Sequence, residues 1–364
     1  METKRDSKYE VLRIISIFLI VAYHFATTFS SIKGGVLATG ASLYHFFALV
    51  VGSWGQLGVD LFVLISIKFL RKGNKFKSKR FLCLILEPVF YAVFWFFVSV
   101  YIFELDVDKL ELVKQMFGAF SGSHWFITAY ILLYVFHPFL NRIVDSISYE
   151  TLKKGTIIIS VFVGMFKTVY IQAPICDFLF FINVYLIYCC IEKNSRSKEW
   201  INQNCKKMCA LSIIGLLIIN SSFVLIGDLL ESTTILEHSI YLNHRCSLVV
   251  FAIGLFLFYS VDNSTKRVNS RLANTIASTS LGVYLSHQGI SQNVWKYLLI
   301  RDYLEGIKAC GYLLGATLFI CICCVLLDLI RQYFIEKPLM YFLGRIRFIS
   351  ISMSRIDSYI NNLK

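Results

Sequence analysis

The sequence predicts an all-α protein that crosses a membrane many times, on the evidence of its composition, its apolar segments and its charge distribution. Of the 364 residues, 57% are hydrophobic and only 16% are charged, and the mean hydropathy is +0.64. A water-soluble chain of this length would carry about 25% charged residues. Lipid-embedded helices are therefore the fold class that the composition favours, because helices satisfy their own backbone hydrogen bonds.

Ten apolar segments approach the roughly 20 residues that a helix needs to cross a bilayer. In chain order, the predicted spans lie near residues 12–32, 45–67, 82–103, 124–141, 155–171, 176–191, 208–226, 245–261, 272–290 and 310–330. We therefore expect one transmembrane unit over residues 1–340. Residues 341–364 then form a short basic tail, and we expect no appended soluble domain.

The loops between these spans indicate the orientation, because Lys and Arg accumulate in short cytoplasmic loops. With the N-terminus inside, the inner segments hold 28 of the 36 lysines and arginines. These inner segments are residues 1–13, 68–80, 142–154, 192–207, 262–271 and 331–364. The pattern predicts an even number of spans and places both termini in the cytoplasm.

The same distribution limits the classes of partner. The net charge of +13 is concentrated in the inner loops, as membrane insertion alone requires, so no nucleic-acid partner is expected. The dense basic segment 68–80 fits either anionic lipid or a phosphorylated donor, and both remain open. Most of the eleven cysteines lie in or beside apolar spans. Because no paired CxxC motif and no HExxH motif occur, we expect no metal site.

Two costly residues, Arg13 and His24, lie in the first apolar segment. Eleven steps of about 100° place both side chains on one face of a helix, about 16 Å apart along its axis. Ionisable residues within a span usually face a cavity or a partner and mark substrate or proton routes. This pair is therefore the main functional candidate.

Three further groups of polar residues lie in or beside predicted spans. Asp60, within the second span, either orients His24 or pairs with Arg13 or another helix. His124 and Trp125 begin the fourth span, where they form an interfacial aromatic belt or stack on a sugar ring. In the ninth span Ser280, Tyr284 and His287 recur at i, i+4 and i+7, and this polar stripe either binds an acceptor or hydrogen-bonds a neighbouring helix.

Six sequence elements, in this order, resemble acyltransferase family 3. They are Arg13-x10-His24, WGQLGVDLFVLIS (54–66), KSKRFLCLILEPVFYAVF (77–94), SHWFITAYILLYVFHPFL (123–140), STSLGVYLSHQGI (278–290) and YFIEKPL (333–339). The resemblance implies an integral-membrane enzyme that moves an acyl group, usually acetyl, from cytoplasmic acetyl-CoA to a hydroxyl outside the cytoplasm. The implied acceptor is a cell-surface polysaccharide or its lipid-linked precursor, and no metal is implied. Residue usage typical of a low-GC genome favours the bacterial cytoplasmic membrane, and a homo-oligomer remains open.

The resemblance also suggests roles for individual residues. His24 is the expected general base, since a neutral imidazole can accept the proton of an attacking hydroxyl. Arg13, near the cytoplasmic face, is expected to hold the phosphates of the donor, and Arg80 shares this reasoning. Ser66 is a candidate for a donor contact, and Lys68 either offers another phosphate contact or simply extends the basic loop. However, Ile67 and Lys68 stand where the family commonly has glycine and an aromatic residue, which puts the Ser66 contact in doubt.

Two other functional classes remain as alternatives. A proton-coupled exporter would use His24, Asp60 and His287 as a relay. A non-enzymatic component of a glycan assembly system would use the protein as a scaffold or sensor.

Overall fold

The computed structural model describes residues 6–28, 43–73, 75–121, 124–165, 177–232, 247–299 and 306–362. Helices dominate this part of the chain, which contains no strand. The helices are α1 (Lys8–Thr28), α2 (Leu43–Gly73), α3 (Ser78–Phe97), α4 (Lys109–Met116), α5 (Gly118–Ser121), α6 (Trp125–Ser146), α7 (Tyr149–Ile159), α8 (Asp177–Lys193), α9 (Ser195–Leu229), α10 (Leu248–Asp262), α11 (Arg271–Ser278), α12 (Ser280–Ser286), α13 (Ser291–Leu299), α14 (Gly306–Arg331), α15 (Lys337–Arg345) and α16 (Arg347–Asn362).

Within the described residues, six helical segments are long and apolar enough to cross a membrane. They are Lys8–Ala26, Val50–Gly73, Ser78–Ile102, Trp125–Ser146, Ser195–Leu229 and Ile307–Arg345. The shorter α10 is also apolar. An all-α, multi-pass membrane protein is thus confirmed, whereas the count of ten spans and the orientation of the termini stay predictions. The predicted ends at 29–32, 166–171 and 245–246 lie outside the described residues.

The interior of the bundle is built on α1 and α2, which pack along each other. On α2, Leu61, Leu64 and Ile65 are fully buried, as are Val21 and Ala22 on α1. A helix that is buried on several sides needs apolar residues around most of its circumference, which explains the near-continuous apolar runs. The remaining faces of α1 contact α11, α12 and α14, while α10 and α8 pack on α2.

The predicted ninth span, 272–290, is wrong as a single helix, because it breaks at Thr279 between α11 and α12. Three consecutive hydroxyls, those of Ser278, Thr279 and Ser280, donate to the carbonyl three residues earlier at 2.7, 2.7 and 2.8 Å. Such side-chain bonds compete with the helical backbone pattern. α12 then ends at Ser286, directly before His287, so a short broken segment stands inside the bundle instead of a continuous span.

A buried ionic cluster fixes this broken segment against α3 and α14. Arg331 contacts Glu87 at 2.9 Å, Asp328 at 2.6 Å and, beyond the end of α14, Glu336 at 2.7 Å. The hydroxyl of Tyr91 donates to Asp328 at 2.7 Å. Gly282 of α12 approaches this cluster so closely that a Cβ there would overlap the Asp328 carboxyl group.

The predicted basic tail is described as far as residue 362, and residues 341–362 are largely helical and dock on the bundle through α16. Asn361 pairs with the backbone of Phe76, accepting from its N–H at 2.8 Å and donating to its C=O at 3.0 Å. Asp357 accepts from the backbone N–H of Ser78 at 2.6 Å. The tail thereby holds the segment that connects α2 and α3.

We expect Gly282→Ala to lower the stability of the protein by about 1–3 kcal/mol, because the added methyl group forces the Asp328 carboxyl away from its partners. The measurement is thermal unfolding of the detergent-solubilised protein. Gly311→Ala is the matched control, since a Cβ at Gly311 meets nothing within 4 Å. That change should be neutral or stabilising by up to about 1 kcal/mol. Equal melting temperatures for the two variants would contradict the close contact at Gly282.

Candidate functional site

His24 and His287 contact each other through their ring nitrogens, with 2.8 Å between His24 Nδ1 and His287 Nε2. The second nitrogen of His287, Nδ1, lies 2.8 Å from the carbonyl oxygen of Val283. A carbonyl can only accept, so this nitrogen carries a hydrogen. Neutral His287 then accepts at Nε2, and His24 must donate its Nδ1–H to it. His24 Nε2 is therefore the unprotonated nitrogen, and it accepts from the side-chain amide of Gln288 at 3.3 Å.

Aromatic rings surround this histidine pair. The Tyr284 ring lies 5.8 Å from that of His287 and 6.3 Å from that of His124. Phe126 lies 5.1 Å from Tyr284, again measured between ring centroids. His124 is buried, and its Nδ1 has no hydrogen-bond partner among the described residues. The structure thus brings three of the predicted residues, Tyr284, His287 and His124, to the neighbourhood of His24.

A cavity of about 540 Å³ opens beside α1, α2, α3, α6 and α12. Arg13, Ser66, Arg80 and Ser280, four of the predicted residues, all line it. Its other lining residues include Glu10, Phe62, Lys75, Lys77, Phe126, Tyr130, Tyr134 and His137. Each helix contributes the face on which its polar residues recur, so the cavity wall mixes aromatic and charged side chains.

The charge of this cavity is positive, because four cations face one carboxylate. Arg13 is held by the buried Glu10 at 3.0 Å and lies over the ring of Phe69 at 5.5 Å. Arg80 donates to the hydroxyl of Tyr130 at 2.9 Å and lies over the ring of Tyr134. Guanidinium groups pre-oriented in this way suit planar or tetrahedral anions such as phosphates.

The short helix α12 joins the cavity to the histidine pair. Ser280, at its start, lines the cavity, and His287, directly after its end, contacts His24. Seven helical residues span about 10 Å. The predicted polar stripe therefore runs from the cation-lined cavity to the imidazole of His24.

The predicted contact between Asp60 and His24 is wrong. Asp60 does not orient His24: its Oδ1 accepts from Gln56, one turn earlier on the same helix, at 2.6 Å. The carboxyl group instead faces α10, where a Cβ on Gly254 would lie 3.0 Å from the Asp60 Cβ. Among the described residues Asp60 has no bond to Arg13 either, so it forms no dyad with His24 and packs against another helix instead.

Lys68, a candidate for a donor contact, does not line the cavity. Its Nζ lies 2.6 Å from Asp262 at the end of α10 and 5.4 Å from the ring of Tyr9, whose hydroxyl also donates to Asp262. Lys68 thus fastens three helices together. Ile67, the other departure from the family pattern, is fully buried in the core.

The ring of Trp125 lies 6.3 Å from that of Phe181 of α8, and Trp125 does not line the cavity. Its neighbour Phe126 lines the cavity and contacts the ring of Tyr284. Sequence reasoning missed the cavity stripe Tyr130, Tyr134 and His137. The spacing i, i+4 and i+7 of that stripe is the same signal that identified the stripe on α12.

A cation-lined cavity beside a pair of histidines combines a surface suited to an anionic donor with a candidate base, as group transfer requires, here within a multi-pass membrane fold. A family model described as an acyltransferase domain matches residues 6–329, nearly the whole chain. The chain belongs to this family, acyltransferase family 3, and is a membrane acyltransferase. No curated protein and no solved structure matches it.

Proposed function

We propose that this protein is an O-acetyltransferase of the bacterial cytoplasmic membrane. It moves an acetyl group from cytoplasmic acetyl-CoA to a hydroxyl of a cell-surface polysaccharide or its lipid-linked precursor. The observation that supports this proposal best is the placement of an unprotonated His24 Nε2 within one short helix of a cation-lined cavity.

The chemistry proceeds as follows in this proposal. His24 Nε2 accepts the proton of the acceptor hydroxyl while its oxygen bonds to the thioester carbonyl carbon. The C–S bond then breaks, and the protonated His24 gives its proton to the thiolate of coenzyme A. His287 holds the His24 ring by accepting its Nδ1–H, and this contact also stabilises the transient imidazolium.

The donor site in this proposal is the cavity itself. Its four cations, Arg13, Arg80, Lys75 and Lys77, offset the phosphate charges of coenzyme A. In the structure Arg13 bonds to Glu10 rather than to a ligand, so donor binding has to compete with that carboxylate. The rings of Phe62, Tyr130 and Tyr134 offer apolar surface for the remainder of the donor.

Loss of the catalytic base tests this function in cells. We expect His24→Ala to abolish glycan acetylation without changing protein abundance, because no group then accepts the hydroxyl proton. Mass spectrometry of surface glycans should show the loss of about 42 mass units per acetylated residue. Ile15→Ala, an exposed position on the same helix, is the control and should leave acetylation unchanged. Acetylation that persists in His24→Ala would exclude His24 as the base.

Two pairs of lysines test the donor site. We expect Lys75→Gln with Lys77→Gln to weaken binding of coenzyme A to the purified protein by about tenfold or more, since both lysines line the cavity. Lys72→Gln with Lys79→Gln removes the same charge from exposed neighbours that do not line it. Isothermal titration measures both affinities. Equal losses for the two pairs would reduce the site to general electrostatic attraction.

Release of coenzyme A by the purified protein distinguishes the proposed enzyme from an exporter and from a scaffold. Purified protein that releases coenzyme A from acetyl-CoA, in the presence of acceptor and without any ion gradient, supports the enzyme. An exporter requires a gradient, and a scaffold would release none.

A further inference from the structure

We propose that Gln288 is a further catalytic residue, whose side-chain amide donates a hydrogen bond to the oxyanion formed during acyl transfer. This inference rests on the proposed function, in which His24 is the base. Acyl transfer needs such a donor in addition to the base, because the carbonyl oxygen gains negative charge in the tetrahedral intermediate.

The position of the amide carries the first part of the argument. Gln288 Nε2 lies 3.3 Å from His24 Nε2, the nitrogen that the hydrogen-bond chain through His287 and Val283 leaves unprotonated. An acceptor hydroxyl must occupy this same place to deliver its proton. It therefore displaces the amide N–H from His24 and leaves that donor beside the reacting atoms.

The second part concerns the remaining half of the amide. Gln288 Oε1 is buried and has no hydrogen-bond partner among the described residues. An amide held at both ends would be locked in one orientation. With Oε1 unbonded, the group can turn from His24 towards the oxyanion at the cost of one weak hydrogen bond, about 1 kcal/mol.

The third part is the anchoring of the backbone that carries Gln288. Gly289 has a φ of +78°, which favours glycine, and its Cα packs directly on the side chain of Gln115. Gln115 Oε1 accepts from the backbone N–H of Ile290 at 3.1 Å, and its Nε2 donates to Glu111 at 2.8 Å. The turn is thus fixed by α4, while the end of the side chain stays adjustable. Electrostatic stabilisation of a transition state needs such a positioned donor.

In this proposal acyl transfer passes through one tetrahedral intermediate. The acceptor oxygen bonds to the carbonyl carbon, its proton moves to His24 Nε2, and the carbonyl π electrons move to oxygen, which accepts from the Gln288 N–H. Collapse restores the C=O bond and breaks the C–S bond. His24 then returns the proton to the thiolate, and the Gln288 amide bonds to His24 again.

The experiment uses purified full-length protein, acetyl-CoA, and surface polysaccharide de-acetylated with mild alkali as the acceptor, with coenzyme A release as the readout. We expect Gln288→Met, which keeps the side-chain length but has no donor, to lower kcat by about 10²–10³-fold with little change in the KM for acetyl-CoA. Asn293→Ala, an exposed amide on α13, is the control and should retain kcat.

The outcomes separate this inference from the function on which it rests. A Gln288→Met kcat within about threefold of wild type, together with an inactive His24→Ala, overturns the role of Gln288 alone. A change confined to KM overturns it as well, because it indicates uniform binding. Full activity of His24→Ala overturns the assignment of the base itself. If Gln288→Met fails to elute as a folded protein, Gln288→Glu replaces it, since a carboxylate also lacks the N–H donor and should show the same loss.

Discussion

The hydrogen bond between His24 and His287 is the interaction on which the site depends. It joins the first helix of the chain to a segment more than 260 residues later, and it determines the protonation of both rings. The carbonyl of Val283 is the source of that determination, because it can only accept. This one backbone oxygen therefore determines that His24 Nε2 is an acceptor, next to the amide of Gln288. Without such a partner, neither the ring orientation nor the tautomer of the base would be fixed.

That hydrogen bond requires a broken helix in the right place, and a broken helix is costly inside a membrane unless the protein covers it. The cost is met by contacts from other elements. The ionic cluster of Arg331 and Asp328 presses against Gly282 from one side, and Gln115 bonds to the backbone of Ile290 from another. A buried guanidinium with several carboxylates is weak evidence for net stability, because desolvation opposes the attraction. Its geometric effect here is clear, since it fixes α12 between α3 and α14.

The basic side chains of α1, α2 and α3 occupy two kinds of environment. Arg13 and Arg80 lie over aromatic rings in the cavity, where an anionic ligand can reach them. Lys68, in contrast, forms an ion pair with Asp262 and lies over the ring of Tyr9, and these contacts connect helices. Neighbouring cations in the same basic segment therefore serve different purposes. Lys68 of α2 faces other helices, whereas Arg80 of α3 faces the cavity. A count of charges does not reveal this difference.

The sequence by itself determined the membrane class, most helices, and the alignment of Arg13 and His24, because apolar length and helical period are local properties. It also identified Ser280, Tyr284 and His287 as one polar stripe, which lies at the site. The partners of these residues were decided only by tertiary structure. Asp60 was expected either beside His24 or against Arg13 or another helix, and it bonds to Gln56 and faces Gly254 of α10. Burial within a span does not state which neighbour a side chain meets. Gln288 falls within the family-like element 278–290, but it lies outside the stripe of Ser280, Tyr284 and His287 and was therefore not identified as a site residue. Its contact with His24 exists because packing brings the first helix against a turn that is distant in the chain.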